Sequence, residues 1–444
     1  MDTYSKYIHI ISAADPVREY SAAAGRVLEA FGADGVLDRK FALAELSPVL
    51  RFPAAQAISF HWAVVPTGRS YGRAMRAEQA DVVVIGAGLA GSAAAWALAG
   101  RGRSVVLLEA FEPGHRRGSS HGSARIFRRA YPDPLYVRLT GQAQVLWRRL
   151  ADEAGEEFVT TTGAVDYGPA RVQEKMYEIL TGFGVPAELM TAGAAAERWP
   201  GISFGPDPVM FHPDGGVIDP ERAMAAMRAL AAARGAQVCY GTPVLRVEAG
   251  GESATVHTAD RSWRAPAAVV AAGAWLEPLL GGQVPLPPLV VTQEDAFHFA
   301  QRAPLRPWPA FISYDEVVMY GLPAGQDGEV PGAIKVGAHH SGGPVTTGDD
   351  RDGIVRPAAR DQACGFVRDQ LPGLDPEPAG EVTCLYTTTA NEDFIFDRYG
   401  PFIVCSPCSG HGAKFAPLTG EIAADLACGG TSPERRFTLA AHGV

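Results

Sequence analysis

Three features of residues 81–109 predict an α/β protein built on a Rossmann-like βαβ unit. Asp81–Ile85 is a short apolar run, typical of a strand buried in a parallel sheet. Gly86-Ala-Gly88-Leu-Ala-Gly91 follows it and opens an alanine-rich helical stretch that reaches about Arg101. A second apolar run, Ser104–Leu108, ends on Glu109. Strand, glycine-rich turn, helix and second strand therefore occur in the order of a dinucleotide-binding fold.

Each glycine of this motif has its own expected role. Gly86 permits the tight turn, Gly88 lets the backbone approach a pyrophosphate, and Gly91 lets the helix pack closely on the strand. The helix N-terminus would face the phosphates, and Glu109 would accept hydrogen bonds from the adenosine ribose. A glycine motif alone is a weak signal, but the flanking strand, helix and acidic residue make it strong.

Elements further along the chain are predicted from apolar periodicity and capping residues. Leu139–Glu153 and Pro220–Arg234 have helical patterns, and Asp219 is the expected N-cap of the second helix. Ala267–Ala272 is another apolar strand, which ends in the sequence Gly273-Ala-Trp275. Ser341–Asp352 is rich in glycine, threonine and aspartate, so it is expected to be a surface loop.

Residues 1–79 are predicted to be a small N-terminal α+β appendage. Tyr7–Ile11 has the pattern of a strand, and apolar residues between Val17 and Phe31 recur at helical spacing. The pattern faintly resembles the small ferredoxin-like domains that form dimeric α/β barrels. Because no residue in this segment carries chemistry, an oligomerisation appendage or an over-long start of translation is favoured over a second activity.

The composition excludes several classes of function. The 444 residues are 47% hydrophobic and 20% charged, and no apolar run is long enough for a membrane span. No secretory signal is visible, and six scattered cysteines do not form a disulfide framework, which together favour the cytoplasm. A net charge of −10 argues against nucleic acid or an anionic membrane as partners.

Two further stretches combine residue types that can bind anionic ligands. Gly118–Arg129 joins glycine, serine and histidine to several arginines; its spacing alone favours a solvated basic loop, although an arginine fork could also face a carboxylate or a flavin. Ser409–Phe415 opens a helix that runs to about Ala427, and the glycines around its histidine would let the backbone crowd a ligand.

The cysteines of the C-terminal third allow more than one interpretation. Cys384 stands among β-favouring residues, where a cysteine is usually a small buried hydrophobe. Cys405 and Cys408 form a CxxC motif without a thioredoxin-like βαβ opening and without a second pair for zinc. Two buried or facing thiols are therefore favoured over a redox centre, and no metal site is predicted.

Taken in order, these segments resemble the monomeric sarcosine oxidase family, which includes N-methyltryptophan oxidase, within the glycine oxidase/D-amino-acid oxidase superfamily. The resemblance spans about residues 80–430. Besides the glycine motif, the matching segments are Ser120–Arg128, Arg198–Ile202, Pro213–Val217, Met319–Pro323, Ile334–Gly337, Cys384–Thr387 and Ser409–Phe415. The chain departs from the family pattern in its N-terminal extension, in Ala413 and in an insertion at Gly325–Gly332.

The resemblance implies a site residue by residue. Cys384 matches the cysteine that forms a thioether to FAD, Arg125 an arginine against the isoalloxazine, and Lys335 a lysine that activates oxygen. Arg128 and Lys414 match a pair that holds the substrate carboxylate. Tyr320, Tyr386 and His339 match residues of the substrate pocket, and His339 is also a catalytic candidate. Further cofactor contacts are implied for His121, Val244, Gly273, Trp275, Gly410, His411, Gly412 and Lys414.

The implied reaction is flavin-dependent oxidation of a secondary amine that carries a carboxylate, with O2 as acceptor and an imine and H2O2 as products. The expected partners are a small amino or imino acid and O2, with the chain as monomer or homodimer. A flavin dehydrogenase, a specialised-metabolite imino-acid oxidase and a non-catalytic flavin module stay open. Residues 80–165, 217–280 and 385–444 are expected to bind FAD, and residues 166–216 and 281–384 to form a substrate domain on a mixed sheet.

Overall fold

The computed structural model describes residues 77–303, 308–327, 330–345 and 347–444. The chain divides into two compact units, Met1–Ala74 and Met75–Val444, and the description below concerns the second unit. The predicted strand at Tyr7–Ile11 and the helical pattern after it lie outside the described residues. Glu78–Gln79, at the end of the predicted appendage, form a short strand that pairs with Trp263 and Arg264.

The strands, numbered in chain order, are β1 (Glu78–Gln79), β2 (Val82–Ile85), β3 (Val105–Leu108), β4 (Arg125–Phe127), β5 (Val159–Thr161), β6 (Ala164–Tyr167), β7 (Glu188–Met190), β8 (Val209–His212), β9 (Gly216–Ile218), β10 (Gln237–Cys239), β11 (Arg246–Gly250), β12 (Ser253–His257), β13 (Ser262–Ala265), β14 (Ala267–Val270), β15 (Val290–Gln301), β16 (Ala310–Tyr314), β17 (Val318–Pro323), β18 (Ile334–Ala338), β19 (Gly343–Val345), β20 (Leu374–Thr388), β21 (Ile395–Tyr399) and β22 (Phe402–Ser406). The α-helices are α1 (Leu89–Gly100), α2 (Pro134–Ala154), α3 (Ala170–Gly182), α4 (Ala192–Arg198), α5 (Pro220–Ala233), α6 (Leu276–Leu280), α7 (Pro357–Gln370) and α8 (Ala416–Ala427).

The first large sheet has the order β10-β3-β2-β14-β22-β21 and is parallel except for its last pair. Its central strands are apolar on both faces because both faces are covered. Val82, Val84 and Leu107 pack with the alanine-rich helix α1. Val83 and Val106 pack on the opposite side with Trp263 of the small sheet β1-β13-β12-β11. The predicted Rossmann-like unit is thus the centre of a three-layer body.

The second large sheet has nine strands, with the order β19-β15-β18-β17-β16-β6-β8-β7 and with β20 paired to β15. Strands β16 and β6 are parallel, whereas the other pairs are antiparallel, so the sheet is mixed. One of its faces packs a core that includes Phe297, Phe311 and Val336. A mixed sheet beside the Rossmann-like body was the fold expected from the sequence.

The predicted helices are present, with shifted ends. Helix α5 begins after Asp219, whose Oδ1 accepts a hydrogen bond from Arg222 N at 3.0 Å, as a capping aspartate does. The helix predicted from Leu139 begins five residues earlier, at Pro134, behind an Asp133 cap. No described helix is both long and apolar enough to cross a bilayer.

One local prediction was wrong. Ser341–Asp352 is not only a loop, because β19 (Gly343–Val345) adds a strand to the mixed sheet and Gly348–Asp350 forms a 3-10 turn. By contrast, Gly412–Phe415 forms a 3-10 turn that opens helix α8, and this helix ends at Ala427 as predicted. Short strands and tight turns made of glycine, threonine and aspartate have no apolar periodicity to reveal them.

Candidate active site

A cavity of about 1160 Å³ extends from the carboxyl ends of β2 and β3 to the mixed sheet. Open α/β sheets bind ligands at this edge. Predicted site residues that line it are Gly86, Gly88, Glu109, His121, Arg125, Arg128, Val244, Gly273, Trp275, Tyr320, Lys335, His339, Cys384, Tyr386, Gly410, His411, Gly412 and Lys414. Gly91 is the exception: it lies in the first turn of helix α1 and packs against the backbone of the glycine-rich turn, not against the cavity.

The glycine-rich turn leaves no room for side chains. Gly86 has a φ of +92°, a conformation that favours glycine, and a Cβ there would lie 2.6 Å from Ala271 O. A Cβ on Gly91 would lie 1.8 Å from Gly86 O, so this glycine sets the close approach of helix to turn. Glu109 Oε2 accepts a hydrogen bond from Ala87 N at 2.6 Å, which fixes the carboxylate at the mouth of the turn. The arrangement is a cradle for a dinucleotide.

Arg125 is held rigidly in the loop that follows the cradle. Its guanidinium donates to the carbonyl oxygens of Ala124, Ser119 and His121, each at 2.8 Å. The neighbouring His121 is buried, and burial together with the positive charge of Arg125 lowers its pKa to about 3. His121 is therefore neutral at physiological pH, and Arg125 supplies a fixed positive charge to the cavity wall.

Cys384 lies on β20, opposite Glu294 of β15. Burial raises the pKa of its thiol, while the positive charges of Arg125 and Lys335 act in the opposite direction. Arg351 ties the neighbouring Thr383 to the loop between β3 and β4: its Nη2 donates to Thr383 O at 2.6 Å and its Nη1 to Arg117 O at 3.0 Å. The cysteine is thus a free thiol in a cavity wall near two cations.

Arg128 sits in a buried polar network. Its Nη1 donates to Asp166 Oδ1 at 3.0 Å, and Tyr314 Oη donates to the same oxygen at 3.2 Å. Although burial alone would lower the pKa of Arg128, the nearby Tyr314 and Asp166 raise it above its ordinary value. Asp166 is fully buried, and its Oδ2 has no hydrogen-bond partner among the described residues. The arginine is thus held charged in one orientation.

Lys414 reaches the same region from the turn before α8. Its Nζ donates to Tyr131 Oη at 3.0 Å and to His411 O at 2.8 Å. The Arg128 guanidinium lies 5.2 Å from the centre of the same Tyr131 ring, so the tyrosine connects the two cations. Burial, together with the charge of Arg128, lowers the pKa of Lys414 well below its ordinary value. A buried site with two cationic side chains and one carboxylate favours an anionic ligand.

Lys335 projects from the centre of the mixed sheet, on β18. Burial and the positive charge of Arg125 lower its pKa to about 8, while Asp327 acts to raise it. Asp327 Oδ2 lies 3.9 Å from the Lys335 Nζ. The other oxygen of Asp327 accepts a hydrogen bond from Ser123 N at 2.6 Å, so the segment between β17 and β18 is fastened to the Arg125 loop.

The aromatic wall contains Tyr320, Tyr386 and His339. The His339 and Tyr386 rings are 5.8 Å apart, and burial lowers the pKa of His339 to about 3. Gly410, with a φ of +75°, lies against this wall: a Cβ there would be 2.5 Å from the Tyr386 ring. Burial likewise lowers the pKa of His411 to about 3. Neither histidine is charged at neutral pH in this environment.

The sequence analysis missed Asp166, Tyr314, Tyr131 and Asp327. All four act as partners of residues that it did name. Asp166 is 38 positions from Arg128, and Ser123 is 204 positions from Asp327. Two of them had a sequence position that could have pointed to the site: Asp327 lies in the Gly325–Gly332 insertion, and Tyr131 follows the arginine-rich stretch Gly118–Arg129.

The fold and the site define a dinucleotide-binding oxidoreductase scaffold, with the cradle at one end of the cavity and a cationic pocket at the other. The chain belongs to the FAD dependent oxidoreductase family, whose model matches residues 81–426. The cavity fits FAD, because its glycine-rich turn and Glu109 lie at the carboxyl edge of the parallel sheet, where such folds bind a dinucleotide, and its volume of about 1160 Å³ continues from there to the mixed sheet.

Similar proteins agree with this assignment. The chain is 32% identical over 370 residues to peroxisomal sarcosine oxidase of Mus musculus, covering 78% of this chain and 91% of that protein. It is 34% identical over 374 residues to monomeric sarcosine oxidase of Bacillus sp. (strain NS-129), covering 79% and 93%. N-methyl-L-tryptophan oxidase of Yersinia pestis (strain Pestoides F) is 31% identical over 365 residues, covering 80% and 96%. The structure of NikD, an unusual amino acid oxidase essential for nikkomycin biosynthesis, is similar with a TM-score of 0.71 and 26% identity, covering 81% and 96%.

Proposed function

We propose that this protein oxidises a secondary amine that carries a carboxylate, such as an N-methyl amino acid or a cyclic imino acid, with O2 as acceptor. The products are an imine and H2O2. The observation that carries the proposal is the pair of basic side chains, Arg128 and Lys414, which both contact Tyr131 in the cavity wall. Sarcosine and N-methyl-L-tryptophan, named in the similar proteins, are both N-methyl amino acids.

The charge balance of the pocket matches one carboxylate. Arg128 is paired with Asp166, and burial together with the charge of Arg128 lowers the pKa of Lys414 well below its ordinary value, so Lys414 would be fully charged only with an anion bound beside it. His339 and His411 add none, since the pKa of each is lowered to about 3. A substrate carboxylate would neutralise the remaining charge and would help Lys414 to keep its proton.

When bound, FAD accepts the equivalent of a hydride from the carbon beside the amine nitrogen. The chain's part is to bind and orient. Arg128 and Lys414 would fix the carboxylate end of the substrate, and Tyr320, Tyr386 and His339 would exclude water around its amine end. His339 and His411 would be weak bases, because the pKa of each is lowered to about 3, so the substrate amine is expected to bind in its neutral form.

Covalent attachment of FAD through Cys384 is part of the proposal. The thiol would need to ionise for this bond to form, and Arg125 and Lys335 are the two cations that favour its thiolate against the effect of burial. Arg351 would keep the cysteine-bearing strand against the Arg125 loop through Thr383. The six free thiols suit a reducing compartment, and we place the protein in the cytoplasm.

A substrate panel with a peroxide readout tests the reaction. Sarcosine, N-methyl-L-tryptophan, L-proline and pipecolic acid should include a substrate, whereas N-methylamines without a carboxylate should be poor substrates. Peroxide from a carboxylate-free amine in preference to all amino acids would contradict the proposed pocket.

Removing the charge of Arg128 tests the carboxylate site directly. Arg128→Met should weaken binding of a carboxylate-bearing substrate or inhibitor by about 1.5–3 kcal/mol, the range for hydrogen bonds to charged groups. Lys414→Met should have a similar effect. Spectral titration of the flavin with a carboxylate inhibitor measures both, and Arg138→Met, an exposed arginine on α2, is the matched control. If Arg128→Met and wild type bind the carboxylate inhibitor with equal affinity, a group other than Arg128 binds the carboxylate.

A further inference from the structure

His339, His340 and Glu392 converge at the edge of the active-site cavity. Each can offer one ligand atom, and these atoms all lie within 4.8 Å of one another. His339 and Glu392 line the cavity, whereas the side chains of His340 and Glu392 are 27% and 57% exposed to solvent. The cluster therefore connects the aromatic wall of the cavity to the surface.

Backbone geometry brings the two adjacent imidazoles together. Neighbouring residues of a strand normally point to opposite faces. His340 follows β18 with a φ of +52°, in the left-handed region that few non-glycine residues adopt. As a result, the ring centres of His339 and His340 are only 4.1 Å apart. Glu392 also has a positive φ, +62°, so two of the three cluster members occupy a costly backbone conformation.

The distances within the cluster suit ligation better than direct pairing. His340 Nε2 lies 3.6 Å from Glu392 Oε1, which is too long for a good hydrogen bond. Donor atoms around a tetrahedral Zn²⁺ are separated by roughly 3.4 Å, as follows from metal–ligand distances near 2.1 Å.

We propose that His339, His340 and Glu392 bind a divalent transition-metal ion, Zn²⁺ in particular, and that the bound ion obstructs the substrate pocket. Two imidazoles and one carboxylate form a donor set that zinc accepts, with a fourth position left for water. The hard ions Mg²⁺ and Ca²⁺ prefer oxygen ligands and should bind poorly. Because His339 belongs to the aromatic wall, the metal would compete with the amine for this end of the cavity.

Isothermal titration calorimetry of the full-length holoenzyme with ZnCl2 tests the site without relying on turnover. Wild type should show one saturable site, which Mg²⁺ does not occupy. His340→Ala and Glu392→Gln should weaken Zn²⁺ binding by about 100-fold or more, since loss of a ligand costs at least as much as loss of an outer partner. The matched control is His257→Ala, which removes a surface imidazole paired with Glu248 at 3.0 Å.

The proposed inhibition by bound Zn²⁺ rests on the proposed function, and enzyme kinetics measure it separately from zinc binding. Zn²⁺ should raise the KM for the amine substrate with little change in kcat, and His340→Ala should resist this effect. Zinc binding of equal strength in wild type and His340→Ala, or no saturable binding at all, would overturn the metal site. If calorimetry shows the site but no amine in the panel is oxidised, the metal proposal stands and the proposed reaction fails. If zinc binds and leaves turnover unchanged, obstruction of the pocket is refuted.

Discussion

Lys335 is a buried ammonium group, and the carboxylate of Asp327 lies 3.9 Å from its Nζ. Reduction of O2 begins with one electron and creates negative charge on the oxygen. A positive charge fixed in a site of low dielectric stabilises this charge much more than it would in water. Substitution of Lys335 therefore tests whether the protein is an oxidase, which passes electrons to O2, or a dehydrogenase, which does not.

We expect Lys335→Met to slow reoxidation of the reduced enzyme by O2 about 100-fold or more, the scale for loss of one preorganised charge-stabilising group. Reduction of the enzyme by substrate should change little. Stopped-flow measurement of the two half-reactions gives both rates. Lys175→Met, on the exposed face of α3, is the control for the same chemical change. Equal slowing of both half-reactions would mean that Lys335 shapes the pocket, and unchanged reoxidation would favour the dehydrogenase.

Cys384 allows a test of covalent attachment. Denatured wild-type protein should keep its yellow colour, and its mass should exceed that of the bare chain by one FAD. Cys384→Ala should release all of its flavin on acid denaturation, whereas Cys428→Ala, which changes an exposed thiol, should retain it. Free flavin recovered from denatured wild type would remove Cys384 from the cofactor site.

At the scale of elements, the segment between β17 and β18 contributes the Asp327 carboxylate, which raises the pKa of Lys335. Asp327 is held by Ser123 N, and Ser123 Oγ in turn accepts a hydrogen bond from Gln326 N at 2.6 Å. Facing groups on neighbouring elements are Arg125 on β4, His298 on β15 and Cys384 on β20. Burial is the largest cause that lowers the pKa of Lys335, and Arg125 lowers it further, whereas Asp327 and Cys384 raise it.

The pH dependence of reoxidation should report this balance. The pKa of Lys335 is about 8, so its charge, and with it fast reoxidation, is present at lower pH and is lost as pH rises through 8. Asp327→Asn removes a group that raises this pKa, so the loss should occur at lower pH than in wild type. Stopped-flow reoxidation between pH 6 and 9 measures the shift. Asp315→Asn, in the turn before β17, is the control. A shift to higher pH in Asp327→Asn would show that the carboxylate does not support the ammonium.

The elements that the sequence predicted well are those with a strong local pattern. Strands β2 and β3, helix α1 and the Asp219-capped helix α5 are specified by apolar runs, glycines and a cap. Arg128, Lys335 and Lys414 could be named because matching segments surround them. Their partners could not be, since a contact such as Arg128–Asp166 joins the residue after β4 to β6 of a different sheet, and only the packing of the two sheets brings them together. The strand β19 was missed for a similar reason, because its pairing with β15 and not its composition makes it a strand.

At the scale of the molecule, the cavity depends on two sheets whose strands alternate along the chain. The Rossmann-like sheet takes strands from 82–108, 237–239, 267–270 and 395–406, and the mixed sheet takes all nine of its strands from the intervening residues. The cradle and the Cys384 wall are therefore brought together only when both sheets have formed. We expect the absorbance signature of site-bound FAD and the fold of residues 75–444 to be lost in one thermal transition, while the proposed bond to Cys384 would keep the flavin on the unfolded chain.

The N-terminal segment, residues 1–74, is expected not to be needed for FAD binding. The described residues that line the cavity begin at Ile85, the family match begins at residue 81, and the chain divides after Ala74. A chain that starts at Met75 keeps β1, whose pairing with β13 supports the small sheet behind the Rossmann-like layer. It should therefore bind one FAD per chain and oxidise substrate at the full-length rate, as measured by flavin absorbance per protein and by peroxide production. A chain that starts at Gly88 lacks β2 and the Gly86 turn and should bind no FAD. If the Met75 chain folds but cannot hold FAD, residues 1–74 contribute to the cofactor site, and their interpretation as a dispensable appendage is wrong.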